Sequence, residues 1–117
     1  MAMDDTGRSG QFVSVTSTDL LDELFLRSHD NPVILFKHSL TCPISAAANR
    51  EMQKLPDDVS LVVMQDSRDV SLEVEKRTAI RHESPQVIIL RNGVAVWNAS
   101  HWKIKADAVK SAVDQNK

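Results

Sequence analysis

The 117-residue sequence has little cysteine, glycine or aromatic character: one cysteine, three glycines, two tryptophans, three phenylalanines and no tyrosine. The single thiol, Cys42, excludes an intramolecular disulfide framework, a four-cysteine zinc site and any dithiol motif within the chain. The four histidines and this cysteine lack the spacing of a metal centre, so we expect no bound metal. The question that follows is what one cysteine is for.

The sequence also lacks a charge imbalance and a long apolar run. Its 14 basic and 16 acidic residues give a net charge of −2, and their mixing supplies no basic face for nucleic-acid phosphates. Apolar runs reach only four residues, as at 33–36, which is too short to span a bilayer. Residues 1–10 are polar and have no apolar stretch typical of a secretion signal. We therefore expect a cytoplasmic protein without nucleic-acid or membrane partners.

What is present is the composition of one folded unit. The chain is 42% hydrophobic and 26% charged, values typical of a single soluble domain of this length. No internal repeat, low-complexity tract or second composition regime divides it. We expect a flexible N-terminal tail over 1–10 and one domain over 11–117.

Apolar runs and helical periodicities alternate along the chain. Apolar or β-branched runs predict strands at 12–15, 33–36, 59–64, 86–91 and 94–99. Helical spacing predicts helices ending near 28, over 43–55 and 70–78, and around 104–113. Asn92-Gly93 is a strong hairpin signal that makes the last two strands antiparallel, whereas strands separated by helices favour a parallel arrangement. This order, β-α-β-α-β-α-β-β-α, predicts a three-layer α/β fold with a central mixed β-sheet flanked by helices.

Cys42 immediately precedes a predicted helix whose first residue is Pro43. The amides of Ile44 and Ser45 have no intrahelical partner there, and with the positive end of the helix dipole they stabilise a thiolate over a thiol. A thiolate is the nucleophile of disulfide exchange, so the position favours redox chemistry. Ser45 can offer its hydroxyl to the sulfur, and Pro43 pre-sets the helical dihedral. The alternative is that Cys42 is a small, buried, inert residue.

Polar neighbours favour the reactive interpretation. The loop before the helix carries His38, Ser39 and Thr41, which is not the composition of a core segment. Ser84-Pro85 precedes the fourth strand, where a cis-proline would present backbone groups to an extended thiol substrate.

Two of the four histidines have two interpretations each. His38 and His82 either give acid–base or hydrogen-bonding help near the sulfur or are loop residues satisfied by backbone groups. We interpret His29 and His101 as surface residues.

Four strings stand out in order along the chain: Lys37-His38-Ser39, Thr41-Cys42-Pro43-Ile44-Ser45, His82-Glu83-Ser84-Pro85-Gln86 and Ser100-His101-Trp102-Lys103-Ile104. Together with the order of predicted elements, they resemble the thioredoxin-like fold and, more specifically, the monothiol bacilliredoxins, the YtxJ-like family. The resemblance extends over 12–113, which is nearly the whole predicted domain.

The resemblance implies a monothiol thiol–disulfide oxidoreductase that removes bacillithiol from S-bacillithiolated client proteins. Cys42 would take bacillithiol from the client as its own mixed disulfide. A second bacillithiol, or a partner such as a flavin-dependent bacillithiol disulfide reductase, would then free it. Bacillithiol would be a co-substrate, with no tightly bound cofactor. The implied catalytic residues are Cys42, Pro43, Ser45 and Pro85, and the implied substrate-binding residues are His38, Thr41, Ile44, His82 and Ser84.

Bacillithiol also carries malate carboxylates and a sugar. Lys37, Arg50 and Arg81 are therefore candidate carboxylate contacts, against the alternative that each is a solvated surface charge. With no tyrosine in the chain, any sugar-stacking surface would depend on Trp97, Trp102 or a histidine.

Two other functions stay open. One is a glutathione-dependent monothiol glutaredoxin-like enzyme, although Cys-Pro-Ile-Ser lacks the glycine-phenylalanine pair of the iron–sulfur glutaredoxin motif. The other is a non-catalytic thioredoxin-like module that binds peptides at the Ser84-Pro85 edge. Cysteine protease chemistry is disfavoured because no pattern holds an activating histidine next to the thiol.

Overall fold

The computed structural model describes residues 10–117. Its strands are β1 (Phe12–Ser14), β2 (Val33–His38), β3 (Val59–Val63), β4 (Gln86–Arg91) and β5 (Val94–Ser100). Its α-helices are α1 (Thr18–Arg27), α2 (Pro43–Met52), α3 (Arg68–Thr78) and α4 (Ala106–Gln115), and a 3-10 turn spans His101–Lys103. The predicted order of elements is confirmed, with the 3-10 turn as an addition.

The five strands form one mixed sheet in the order β1-β3-β2-β4-β5. Strands β1, β3 and β2 are parallel, whereas β4 is antiparallel to both β2 and β5. The β4–β5 turn has positive φ angles at Asn92 (57°) and Gly93 (79°), the backbone that an Asn-Gly hairpin turn requires. The mixed sheet and its hairpin are as predicted.

The core occupies both faces of this sheet. On one face Phe36 packs in a buried cluster with Met52 of α2 and Val109 of α4. On the other face Leu35 packs in a second cluster with Leu21 of α1 and Val74 of α3. Successive residues of a strand point to opposite faces, so a central strand covered on both sides reads as continuously apolar. The three-layer prediction is confirmed.

Strand β2 is two residues longer than predicted, because Lys37 and His38 continue it. Their backbones pair in parallel with Val62 and Val63 of β3. Both side chains are buried, one on each face of the sheet, although neither residue is apolar. The apolar pattern ends at Phe36, whereas the hydrogen-bonded ladder continues to His38. Lys37 and His38 therefore lie beside the loops that form the site.

Helix α4 begins at Ala106, two residues after the predicted position, because Ile104 is a buried core residue before the helix. Its N-cap residue, Lys105, makes no side-chain cap. Instead Glu51 of α2 supplies Oε1, which accepts from the Ala106 amide at 2.9 Å. A carboxylate from another helix therefore caps α4 where its own sequence has no capping side chain.

The predicted N-terminal tail, 1–10, lies outside the described residues except for Gly10. The Gly10 amide donates to the Leu55 carbonyl at 3.1 Å, so this residue is already attached to the domain. A Cβ at position 10 would lie 1.7 Å from the Asp57 carbonyl oxygen, which requires glycine there. Within 10–117, no helix combines the length and the hydropathy needed to cross a membrane.

Candidate active site around Cys42

Cys42 is the N-cap residue of α2 and is half-buried. Its backbone is extended (φ −100°, ψ 121°), and its carbonyl accepts the first intrahelical hydrogen bond from the Ala46 amide at 3.0 Å. Pro43 occupies the first helical turn as the sequence predicts, and no side chain caps this end. The sulfur therefore lies at a helix N-terminus whose first amides have no side-chain acceptor.

Ser45 is fully buried, and its hydroxyl points to β2 and the loop after it. Ser45 Oγ accepts from the Ser39 amide at 2.9 Å and lies 2.6 Å from His38 Nδ1. Within residues 10–117 the structure shows no hydrogen bond from Ser45 to Cys42. In this arrangement the hydroxyl fastens the first turn of α2 to the end of β2 instead of contacting the sulfur.

His38 lies beneath the first turn of α2. Its ring stacks on Phe36 with centroids 5.3 Å apart, and burial lowers the pKa of this imidazole. It is therefore neutral at pH 7, and one ring nitrogen can donate while the other accepts. His38 does not line the cleft at Cys42, so the structure places it as a support for Ser45.

Gln65, which the sequence analysis did not identify, holds the loop before Cys42. Its Oε1 accepts from the Leu40 amide at 3.2 Å. Its Nε2 donates to Ser39 Oγ at 3.1 Å and to Thr41 Oγ1 at 3.4 Å. The available signal was topological: Gln65 follows β3, whose carboxyl end lies beside that of β2 because the two strands are parallel.

An open cleft of about 450 Å³ lies at Cys42. It is lined by Ser39, Cys42, Met64, Gln65, Arg68 and Ser84. A pocket of about 520 Å³ near the start of β2 includes neither cysteine nor histidine in its lining. Unlike that pocket, the cleft at Cys42 combines a nucleophile with hydrogen-bonding groups and a cation.

Lys37, which is buried, and His82, which is half-buried, form a pair on the opposite face of the sheet from His38. Lys37 is 0% exposed, and its Nζ lies 3.1 Å from His82 Nδ1. Ser71 Oγ lies 3.1 Å from the same nitrogen, and the His82 amide donates to Glu75 Oε2 at 2.8 Å. Burial lowers the pKa of Lys37 to about 8, with Glu75 acting in the opposite sense. Burial and then the Lys37 charge lower the pKa of His82.

This pair corrects one expectation. Lys37 cannot be a solvated charge or reach a ligand in the cleft, because its side chain is enclosed by the protein. His82 Nδ1 is likewise occupied by Lys37 and Ser71, and the ring does not line the cleft.

The loop before β4 forms another wall of the site. The Ser84-Pro85 peptide bond is cis, Pro85 is buried, and its carbonyl accepts from the His101 amide at 3.0 Å. His101 is exposed, and its Nδ1 lies 3.2 Å from Glu83 Oε1. Among the described residues, the buried Ser84 Oγ has no hydrogen-bond partner. The structure thus joins this loop to the 3-10 turn and brings Ser84 to the cleft of Cys42.

The remaining residues singled out from the sequence lie around the cleft or away from it. Thr41 and Pro43 are exposed beside Cys42, whereas Ile44 is half-buried and does not line the cleft. Arg50 and Trp102 line a separate pocket between α2 and the 3-10 turn. Trp102 is 61% exposed.

Two residues considered for ligand contact lie elsewhere. Trp97 packs against the core from β5, and Arg81 is exposed without lining the cleft. Over 10–117, no three histidine, cysteine, aspartate or glutamate side chains are placed to hold a metal ion together.

Comparison with known proteins confirms the family resemblance seen in the sequence. The family model described as monothiol bacilliredoxin BrxC matches residues 13–109. A solved protein, described as a candidate oxidoreductase with a thioredoxin fold, is 31% identical, with a TM-score of 0.79. That match covers 94% of this chain and 97% of the other.

More distant structures share the fold alone. Thioredoxin NaTrxh from Nicotiana alata has a TM-score of 0.72 at 12% identity, covering 92% of this chain and 94% of its own. Thioredoxin from Trypanosoma brucei brucei has a TM-score of 0.72 at 14% identity, covering 98% and 95%. The fold is that of thioredoxin, and the family supports a thiol oxidoreductase built on a single cysteine. The chain belongs to the BrxC family of monothiol bacilliredoxins.

Proposed function

We propose that this protein removes bacillithiol from S-bacillithiolated proteins by thiol–disulfide exchange at Cys42. The observation that carries the proposal is the position of this half-buried thiol at the start of α2, in an open cleft. The position three residues later, one turn along the helix, holds a serine whose hydroxyl is fastened inward. The chain offers no second thiol, so resolution must come from outside.

The first step transfers bacillithiol from the client to Cys42. The Cys42 thiolate attacks the bacillithiol sulfur of the mixed disulfide, a new disulfide forms, and the client disulfide breaks. The electron pair leaves with the client sulfur, which takes a proton from water. The open end of α2 favours this step because its amides stabilise the attacking thiolate.

The second step regenerates Cys42. The thiolate of a second bacillithiol attacks the bacillithiol sulfur bound to Cys42, which forms bacillithiol disulfide and releases the Cys42 thiolate. A reductase, for which a flavin-dependent bacillithiol disulfide reductase is the expected kind, would then return the disulfide to two thiols. In this scheme bacillithiol is a co-substrate, and the reducing environment that it requires is the cytoplasm.

Supporting residues keep the site in shape for both steps. Gln65 and Ser45 hold the loop 39–41 against β2 and α2, which fixes the position of Cys42 relative to the cleft. Ser84 and Pro85 form the wall on which the peptide of a client would lie. We propose that Ser84, which lines the cleft, contacts that peptide.

The test is intact-mass spectrometry of the reduced protein after exposure to a bacillithiolated client. The expected product is one bacillithiol adduct on wild type, with an equivalent of free client thiol, and none on Cys42→Ser. Adding free bacillithiol should remove the adduct. Absence of the adduct would overturn the proposal, and client binding retained by Cys42→Ser would then favour a non-catalytic module.

A parallel exposure to a glutathionylated client identifies the preferred thiol. The proposal expects faster transfer from the bacillithiolated client. An equal or greater rate with glutathione would favour the glutaredoxin-like alternative.

A further inference from the structure

The cleft at Cys42 contains a single charged side chain among its described lining residues, that of Arg68. The other lining residues are neutral or apolar, apart from the reactive thiol itself. Asp66 and Asp69, which flank Arg68 in sequence, are exposed and do not line the cleft. A ligand held on Cys42 would therefore meet one guanidinium and no carboxylate among the lining groups.

This guanidinium has no partner within residues 10–117. Among these residues Arg68 takes part in no ion pair and no side-chain hydrogen bond, whereas two other arginines do. Arg77 pairs with Asp22 and Glu73, and Arg91 donates to three carbonyl groups. An exposed arginine with all its donors free fits the two oxygens of a carboxylate in a bidentate pair.

The backbone at Arg68 favours the same ligand. Arg68 is the first residue of α3, an 11-residue helix, and its N-cap residue, Ser67, makes no side-chain cap. The positive end of the helix dipole therefore adds to the guanidinium charge at the rim of the cleft. The charge of Arg68 also contributes to lowering the pKa of His82, whose Nδ1 lies 3.1 Å from Ser71 Oγ of the same helix.

The other candidate cations are elsewhere. Lys37 is buried in the protein, Arg50 lines the pocket beside the 3-10 turn, and Arg81 does not line the cleft. We infer that Arg68 binds a carboxylate of the low-molecular-weight thiol carried on Cys42, and so selects anionic thiols over neutral ones. This inference rests on the proposed function, since it assigns the ligand contact of the same site.

The experiment compares two mixed disulfides of one client, one with bacillithiol and one with the neutral thiol 2-mercaptoethanol. The kcat/KM of exchange is measured for wild type, Arg68→Gln, Arg68→Lys and the control Arg27→Gln. Arg27 is exposed at the end of α1 and lines the pocket near the start of β2, so its replacement removes the same charge far from Cys42.

Arg68→Gln should lose about 3- to 20-fold in kcat/KM with bacillithiol, the range for one exposed charge-assisted pair. It should change little with 2-mercaptoethanol, and Arg68→Lys should fall between it and wild type. Arg27→Gln should match wild type with both. Raising the ionic strength should narrow the gap between wild type and Arg68→Gln. A glutathione mixed disulfide, also anionic, should lose rate in Arg68→Gln if the site recognises carboxylates in general.

Two outcomes would overturn the inference: an equal loss with both disulfides, or no loss with either. An equal loss of kcat/KM would mean that Arg68 acts on Cys42 or on the fold. A thermal melt of Arg68→Gln would distinguish these two explanations, because only an effect on the fold would lower the Tm. If wild type exchanged with no disulfide, the proposed function itself would fail. Exchange that is normal in Arg68→Gln overturns only the role of Arg68.

Discussion

The ammonium of Lys37 lies 3.1 Å from Nδ1 of His82, and it has no exposed surface. An ammonium has no acceptor, so Nδ1 accepts and the ring proton is on Nε2 when Lys37 is charged. The next residue, His38, turns to the other face of the sheet and meets Ser45. Two consecutive polar residues at the end of β2 thus attach the loop before β4 on one face and the first turn of α2 on the other.

The buried lysine gives an alkaline pH dependence of stability. Burial lowers the pKa of Lys37 from 10.5 to about 8, so between these values the unfolded chain binds the proton that the folded chain has lost. The free energy of unfolding should therefore rise as the pH increases from about 8 toward 10.5, by at most about 1.4 kcal/mol per pH unit. Urea unfolding of the Cys42→Ser variant, which has no thiol, measures this rise in the free energy of unfolding.

Lys37→Met in the same background is the matched variant. It removes the charge and keeps an unbranched side chain, and Ser71 remains beside His82 Nδ1. We expect the alkaline rise to disappear and the stability at pH 7 to equal or exceed that of the parent, because burying the ammonium is costly. Parallel pH curves for parent and variant would contradict this account.

The fold could be predicted because its signals are local. Proline at the start of α2, the Asn92-Gly93 turn and the apolar runs of β2 and β4 each act over a few residues. The extent of β2 could not be predicted in this way, since Lys37 ends an apolar run as a solvated residue would. Its burial depends on His82, 45 positions away in sequence.

The site shows the same division. Cys42 at the helix start follows from its own neighbours, whereas Gln65 and Arg68 follow β3 in a polar segment with no motif. They reach the cleft because β3 and β2 are parallel neighbours, a relation that only the strand order reveals. The catalytic and substrate-binding roles assigned from sequence stay predictions that the exchange experiments address.

His38, which is buried, and His82, which is half-buried, should make the protein sensitive to acid. Burial lowers the pKa of both His38 and His82 below 6.5, so under that pH the unfolded state binds more protons than the folded state. The free energy of unfolding should fall as the pH decreases below about 6.5. Urea unfolding between about pH 7.5 and about pH 5.5, one unit on either side of the ordinary imidazole value of about 6.5, measures this fall.

A double variant, His38→Gln with His82→Gln, should flatten this acid limb while retaining hydrogen-bonding groups at both positions. His29→Gln, at an exposed position, is the control and should follow wild type. If the double variant lost stability with acid as steeply as wild type, carboxylates and not these histidines would be responsible.

Removing the Ser45 hydroxyl should lower the stability of the protein but leave the exchange reaction at Cys42 largely unchanged. Ser45→Ala leaves the Ser39 amide without its acceptor and removes the partner of His38. The expected cost is about 1 to 3 kcal/mol of unfolding free energy. Intact mass should still show the bacillithiol adduct on Cys42, because Ser45 makes no hydrogen bond to that residue in the described structure. Loss of the adduct in a folded Ser45→Ala protein would give the hydroxyl a direct role.

Ser45→Cys should convert the mechanism from one thiol to two. Positions 42 and 45 are neighbours on one turn of α2, and His38 Nδ1 lies 2.6 Å from the hydroxyl that the substitution replaces. The new thiol can give its proton to that imidazole, attack the Cys42 sulfur of the mixed disulfide and release bacillithiol as a thiol. The product should then be an intramolecular disulfide, seen by intact mass as a loss of two hydrogens in place of the adduct. The control is Ser111→Cys, which adds a thiol at an exposed position of α4 and should keep the bacillithiol adduct on Cys42. If the adduct also accumulated in Ser45→Cys, the thiols at positions 42 and 45 would be unable to form a disulfide.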